Sequence, residues 1–409
     1  MTSTPPRLRV LWASDAPWAQ SGYAVETALA AVRLKDHCDF ALLATFGLHG
    51  GVQEWNGIPV FPGGADAFSN DVIGKAARAW QADIVITLKD TLVFNPQSFN
   101  GFRWTPMCPI DHDPSTPQVI ERVRQSYRPI AYAPHGFRAL RSAGLDPLYA
   151  PHAFDPQVYY PMPKEEARAT LNLDPSLFIV GTVAVNRGGL PSRKAWVENL
   201  EAFAAFAHDK PNVRYFVHTD LADDGYEAGI PLRSLMAQFG ILEKVLFCDQ
   251  ERYRYGGFPT DYMRAYYNAL DVLSAVSLGE GFGIPALEAQ ACGVPVIVGD
   301  WCAHEDLCFA GWKVAKQDAH HFYDQQQGWV FIPKPAAIAD RMEQAWEGLN
   351  NPGIAVIHHH QAVAGAQPYQ IDTVIRDHWL PLLAEVTEDI RTPRSRGVLR
   401  IIRREEVFS

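Results

Sequence analysis

Two carboxylates frame a glycine turn in the stretch Ser277 to Asp300, SLGEGFGIPALEAQACGVPVIVGD. Glu280 precedes Gly281-Phe282-Gly283, and Glu288 follows eight residues after Glu280. Gly281 and Gly283 allow backbone conformations and close approaches that a side chain would block. Pro285 suits the first turn of a helix, where its missing N–H costs nothing, and Gly293 suits that helix's end. Pro295 to Val298 then reads as a buried strand. The helix start offers unpaired N–H groups and partial positive charge to a phosphate. Carboxylates only accept hydrogen bonds, so the two glutamates suit hydroxyl-rich groups on either side of it. Phosphate flanked by hydroxyls at both ends describes a nucleotide sugar. The plainer alternative is an ordinary strand–loop–helix–strand whose glutamates face water.

The run Glu280-Gly281-Phe282-Gly283-Ile284-Pro285, with Glu288-Ala289 and Ala291-Cys292-Gly293 behind it, resembles the E-x7-E signature of retaining GT-B glycosyltransferases. Glycosyltransferase family 4, in the glycogen synthase-like superfamily, is the nearest pattern. The resemblance implies an α/β protein of two Rossmann-like, doubly wound parallel-sheet domains facing across a cleft. It implies that Glu280 contacts the donor sugar and that Glu288 holds the ribose hydroxyls. The backbone from Gly281 through Phe282 and Gly283 to Ile284, with Leu287, would then lie against sugar and diphosphate. Gly57-Ile58-Pro59-Val60 and the compact first part of the chain resemble archaeal and phage-type members.

Other segments acquire roles by the same resemblance. Gly181 to Asn186-Arg187, then Ser192-Arg193-Lys194, resembles the family strand followed by basic residues that meet the diphosphate. Positive charge there stabilises the charge developing on the leaving group. Arg187 lies seven residues before Lys194 and Arg193 adjoins it, which departs from the usual spacing and leaves open which arginine serves. Gly22 falls at a helix start in a loop that resembles the one facing donor phosphate and acceptor; Ser21 is either part of it or an N-cap. Phe247 and the aromatics of 251–263 fall where the family holds the rim of the nucleobase, or else belong to the core.

Asp111-His112-Asp113 admits three readings. Asp-x-Asp alone suggests the aspartate pair that holds manganese in glycosyltransferases of the other common fold. By position, Asp111 or His112 resembles the family's polar residue near the donor sugar, orienting a hydroxyl or supporting oxocarbenium charge. With Pro114 following, a turn is the third reading. The GT-B resemblance favours no metal and no cofactor beyond the donor. His358-His359-His360 cannot all point one way and reads as a solvated run.

Strand-length apolar runs must position these residues: Arg9–Ala13, Phe40–Ala44, Ile84–Leu88, Ile130–Ala133, Phe178–Val185, Val213–His218, Val245–Cys248, Val272–Val276 and Val296–Val298. Near-continuous hydrophobicity alternating with helical patterns predicts parallel sheets covered on both faces. At 409 residues, two domains are expected. We place an acceptor domain at 1–158 and a nucleotide-sugar domain at 159–367. A helix at 368–390 returns to the first domain, followed by an Arg-rich tail at 391–409. The proline-dense stretch Asp146 to Pro163 reads as the crossing between domains. Ile371, Val374, Ile375, Trp379, Leu382, Leu383 and Val386 give the late segment its helical apolar spacing.

A formal charge of −10 argues against a surface built wholly to grip nucleic acid or anionic membrane. Six cysteines without paired spacing read as reduced, buried thiols, and no run reaches transmembrane length, so a cytoplasmic protein is expected. The reading is a retaining hexosyl transfer from a UDP-sugar, UDP by family frequency, to a hydroxyl of a small molecule, glycan or lipid-linked acceptor. Two alternatives stand beside it. One is a phage-type enzyme glycosylating hydroxymethylated DNA, with the six arginines between Arg391 and Arg404 on phosphates. The other is a catalytically silent protein that binds nucleotide sugars.

Overall fold

The computed structural model describes residues 7–188, 190–222, 229–259 and 261–392. The Arg-rich tail therefore lies outside the described residues from position 393 onward.

The first domain is built on an eight-stranded sheet: β1 (Arg9–Asp15), β2 (Asp39–Phe46), β3 (Gln53–Trp55), β4 (Ile58–Phe61), β5 (Ile84–Leu88), β6 (Arg103–Cys108), β7 (Ile130–Ala131) and β8 (Leu148–Tyr149). Their order is β3-β4-β2-β1-β5-β6-β7-β8, parallel throughout except for the β3–β4 hairpin. β1 lies in the middle because its residues from Val10 to Asp15 are all buried, so both faces need covering. The second domain has a six-stranded parallel sheet: β9 (Phe178–Val183), β10 (Val213–His218), β11 (Val245–Phe247), β12 (Val272–Ser274), β13 (Val296–Gly299) and β14 (Gly311–Val314), in the order β11-β10-β9-β12-β13-β14. An antiparallel hairpin, β15 (Ala319–Tyr323) with β16 (Trp329–Pro333), stands outside both sheets.

β6 was not expected. Its sequence RWTPMC carries a proline and an arginine, yet it runs between β5 and β7 with Pro106 opposite Thr87. Elsewhere some expected runs shorten and others lengthen, as with β1 and β2. Ile130–Ala133 yields only β7, because Ala133 caps the helix Pro134–Ser142. The proline-dense crossing is not wholly irregular either, since Leu148–Tyr149 closes the edge of the first sheet.

After the second domain the chain returns. Phe154 N–H donates to Tyr369 O and Ile371 N–H donates to Phe154 O, both at 3.0 Å, so outgoing and returning segments lie side by side. The seven apolar residues from Ile371 to Val386 are all buried in the core of the first domain. Trp379 packs its ring 5.5 Å from that of Trp12 on β1. Arg128 holds Glu385 at 2.6 Å, and Tyr127 donates to Asp389 at 3.0 Å. All six cysteines are free thiols; five are buried and Cys308 is partly so. Among the described residues, no helix is long and apolar enough to cross a membrane.

Candidate active site

In doubly wound sheets, ligands bind beyond the carboxyl ends of the strands. The loop after β12 carries Glu280 there, and the loop after β9 carries Arg193 and Lys194. Lys194 Nζ contacts Glu280 Oε1 directly. Arg193 Nη1 lies 3.4 Å from Glu280 Oε2 and donates to Gly279 O at 3.2 Å. Burial alone would raise the Glu280 carboxyl, but the Lys194 ammonium and the Arg193 guanidinium hold it well below the usual carboxylate range. Arg187, by contrast, is exposed. Of the two arginines, only Arg193 stands beside Lys194 and Glu280.

The glycines let this loop lie against the first domain. A side chain at Gly279 would overlap the Asp111 carbonyl oxygen. One at Gly281 would press its Cβ to 2.9 Å from the Tyr132 hydroxyl and 3.1 Å from Pro109. Gly283 caps the helix Ile284–Ala291 at φ +101°, a left-handed conformation that favours glycine. Across the cleft begins the helix Gly22–Leu34. Ser21 is its N-cap, accepting from Ala24 N–H at 3.1 Å and donating to Asp15 at 2.6 Å. A methyl group at Gly22 would stand 3.6 Å from Ile284. Two helix starts therefore face each other across the cleft.

Glu288 sits one turn into the helix Ile284–Ala291 and is buried. It accepts a hydrogen bond from the Tyr267 hydroxyl at 2.7 Å. Burial raises its carboxyl to about 7, against the lowering effect of hydrogen bonds from Tyr267 and Tyr159. Leu287 packs into the first domain's core rather than toward solvent. Phe282 likewise turns away into an interdomain aromatic cluster, 5.2 Å from the His152 ring and 6.4 Å from that of Tyr132.

Other sequence-singled residues are engaged elsewhere. Asn186 is buried; its amide donates to Asp220 O and Ile230 O and accepts from Ile230 N–H, all within 3.0 Å. That set ties Asn186 to Asp220 and Ile230. Phe247 lies under the Arg233 guanidinium at 4.7 Å. His218, at the end of β10, is ringed by Tyr253, Phe258, Tyr262 and Tyr266, with centroids 5.3 to 5.7 Å away. Burial pushes His218 down to about 4, and its Nδ1 has no partner among the described residues. This aromatic box closes on the His218 ring itself.

The triplet 111–113 divides its groups. His112 Nδ1 meets Asp111 at 2.8 Å, and its Nε2 meets Asp324, at the tip of the β15–β16 hairpin, at 3.1 Å. Burial would lower His112, but the two carboxylates raise it to about 9. Asp113 instead pairs with Lys316 at 2.9 Å. Both ring nitrogens of His112 are thus committed to a clasp between the domains, and the two aspartates do not converge. Among the described residues, no group of three or more His, Cys, Asp or Glu is placed to hold a metal ion.

Sequence reasoning missed His304. It begins the helix His304–Leu307 after β13, is buried against Gly283, and its Nε2 has no partner among the described residues. Burial pushes it down to about 4, so it is neutral beside Glu280. A single histidine in WCAHEDL gives no signal. Its place after a central strand, at the carboxyl edge, is the only clue. Tyr159, Tyr267 and Asp324 were missed for the same reason, since each matters through a partner distant in sequence.

This architecture is the GT-B glycosyltransferase fold. It superimposes on sucrose-phosphate synthase from Thermosynechococcus elongatus with a TM-score of 0.70 at 16% identity, over 93% of this chain and 100% of that one. Anabaena Alr3699/HepE, solved with UDP and glucose, gives 0.66 at 14% identity, over 92% and 100%. Residues 181–347 match the family model described as Glycosyl transferases group 1. D-inositol 3-phosphate glycosyltransferase of Rhodococcus erythropolis is 31% identical over 197 residues, 46% of this chain and 42% of that protein. The protein of that name from Mycobacterium marinum is 32% identical over 143 residues, 35% and 28% of the two chains. The chain spans less than half the length of these curated relatives.

Proposed function

We propose that this protein is a retaining glycosyltransferase that moves a hexosyl group from a UDP-linked sugar to an acceptor hydroxyl. One observation carries the reading: a buried carboxylate, Glu280, ion-paired to Lys194 and Arg193 where the carboxyl edges of two parallel sheets meet. Glu280 accepts hydrogen bonds from donor-sugar hydroxyls. Lys194 and Arg193 neutralise the charge growing on the leaving diphosphate, so no metal is required for that task. The facing helix starts at Gly22 and Ile284 add N–H donors to the diphosphate, and Glu288 takes the ribose hydroxyls. The acceptor oxygen attacks the anomeric carbon on the face from which the phosphate oxygen departs, and that oxygen receives the acceptor's proton. The domains supply orientation and exclude water.

Support for a UDP donor comes from the Anabaena protein, solved with UDP, with UDP and glucose, and with UDP-glucose. Support for a polyhydroxylated acceptor comes from the names of the matched proteins, which include an inositol phosphate glycosyltransferase and synthases of sucrose phosphate and trehalose phosphate. The test is UDP release from UDP-glucose in the presence of polyol and sugar-phosphate acceptors, with the product anomer read by NMR. The reading expects an α-linked product and loss of turnover in Glu280→Gln. A β-linked product, or full turnover in the variant, would refute it.

A further inference from the structure

Tyr159 lies where the chain crosses between domains, and its ring packs against both the first domain's core and the second domain's cluster around Tyr267 and Ala289. The Glu288 carboxylate accepts a hydrogen bond from the Tyr267 hydroxyl at 2.7 Å, and the Tyr159 hydroxyl lies close enough to lower its pKa. The two phenol rings meet edge-on with centroids 5.9 Å apart. The crossing is tied to the same helix, Tyr262–Ala269. Asn268 donates to Tyr160 O at 3.1 Å and accepts from Met162 N–H at 2.9 Å. The titratable groups facing Glu288 are Tyr159 from the crossing, Tyr267 from that helix, Glu26 from the helix Gly22–Leu34, and Cys292 on its own helix. None of the four is a cation. The two phenol hydroxyls beside this buried carboxylate, one bonded to it directly, are not needed for packing, because phenylalanine would fill the same space.

We propose that Tyr159 and Tyr267 are positioning residues that hold the Glu288 carboxylate aimed at the donor's ribose hydroxyls, with Tyr159 linking that grip to the seating of the two domains. The inference rests on the nucleotide-sugar reading of the site. Hydrogen bonds to the charged form favour it, whereas burial opposes it. The balance leaves the free protein's Glu288 near 7. Ribose hydroxyls donate best to the ionised form. Nucleotide affinity therefore falls as pH drops below this value, by up to about tenfold per pH unit. Removing either phenol raises the carboxyl further, so the fall begins at higher pH.

The experiment is calorimetric titration of UDP from about pH 5.5 to about pH 9 into the full chain, Tyr159→Phe and Tyr267→Phe, repeated with 2′,3′-dideoxy-UDP. UDP affinity of each variant should be reduced several-fold near pH 7 and recover toward the unmodified protein near pH 9. The dideoxy nucleotide should show neither the pH dependence nor the loss. The two variants report independently, so misfolding of one leaves the other. A reduction equal at every pH, or equal for both nucleotides, marks a merely structural role and overturns the inference alone. If no nucleoside diphosphate binds the unmodified protein, the nucleotide-sugar reading fails and this inference falls with it.

Discussion

Replacing Lys194 by methionine leaves a buried Glu280 with only Arg193, whose side chain is nearly half exposed and 3.4 Å away. Breaking a buried ion pair by deleting one partner costs roughly 3–5 kcal/mol, because the remaining charge is left uncompensated. The lower end applies here, about 3 kcal/mol, since Arg193 still faces the carboxylate. The sign with pH also changes. In the native protein Glu280 is held below its ordinary value, so its contribution is present above the unfolded pKa and lost as pH falls through the folded one. Without Lys194, burial becomes dominant and the carboxyl rises, so the variant loses stability as pH increases from about 4.5 toward neutrality. The deficit should therefore be smaller near pH 5 than near pH 7.5. Adding Glu280→Gln removes the charge that Lys194 neutralised. The double variant should regain most of the stability while remaining inactive. The assay is urea unfolding of the four proteins at both pH values. A Lys194→Met deficit below about 1 kcal/mol, or no recovery in the double variant, would refute the buried-pair argument.

Three further predictions follow from the same contacts. Trp379→Ala removes the returning segment's anchor on Trp12 and should cost about 3–5 kcal/mol in urea unfolding, the range for a large aromatic lost from a core. Gly283→Ala forces a side chain into a left-handed backbone position and against His304, so UDP affinity should fall at least about tenfold; unchanged affinity would mean that the turn does not meet the donor. Asp324→Asn removes one of the two carboxylates raising His112, so its pKa, followed by NMR, should drop below about 9. Because a raised histidine stabilises below its unfolded value and loses that effect as pH rises through the folded one, the native clasp should weaken through pH 9, and the variant's should weaken earlier.

Much of the sheet framework could be read from the sequence, because a strand buried on both faces must be apolar along its length. Val10 to Ala13, Ile84 to Leu88 and Val296 to Val298 show this directly. The apolar spacing from Ile371 to Val386 was readable for the same reason, since one helical face had a core to cover. β6 was not readable, because Arg103 and Pro106 obscure a strand whose burial is imposed by its neighbours. At the site, the grouping of Glu280 with Lys194 had a signal in a glycine turn and a basic pair. The spacing could not choose between Arg187 and Arg193; the path of the loop after β9 brings Arg193 to Glu280. Asn186 and Phe282 illustrate the converse. Their sequence positions lie within site segments, but their side chains turn to a loop and to an aromatic cluster. Residues that act through distant partners, such as Tyr159 on Glu288 or Asp324 on His112, left no local pattern to find.

On the proposed reading, the cleft binds a nucleotide sugar through Lys194 and Glu288 without a metal. Calorimetric titration of UDP, GDP and ADP in EDTA tests it most directly, on the native protein, Lys194→Met and Glu288→Ala. The account predicts that one nucleotide binds the native protein in EDTA and that each substitution weakens it by at least about tenfold, roughly 1.4 kcal/mol. Absence of binding by all three nucleotides, binding that appears only when Mn²⁺ is added, or native affinity in either variant would contradict it.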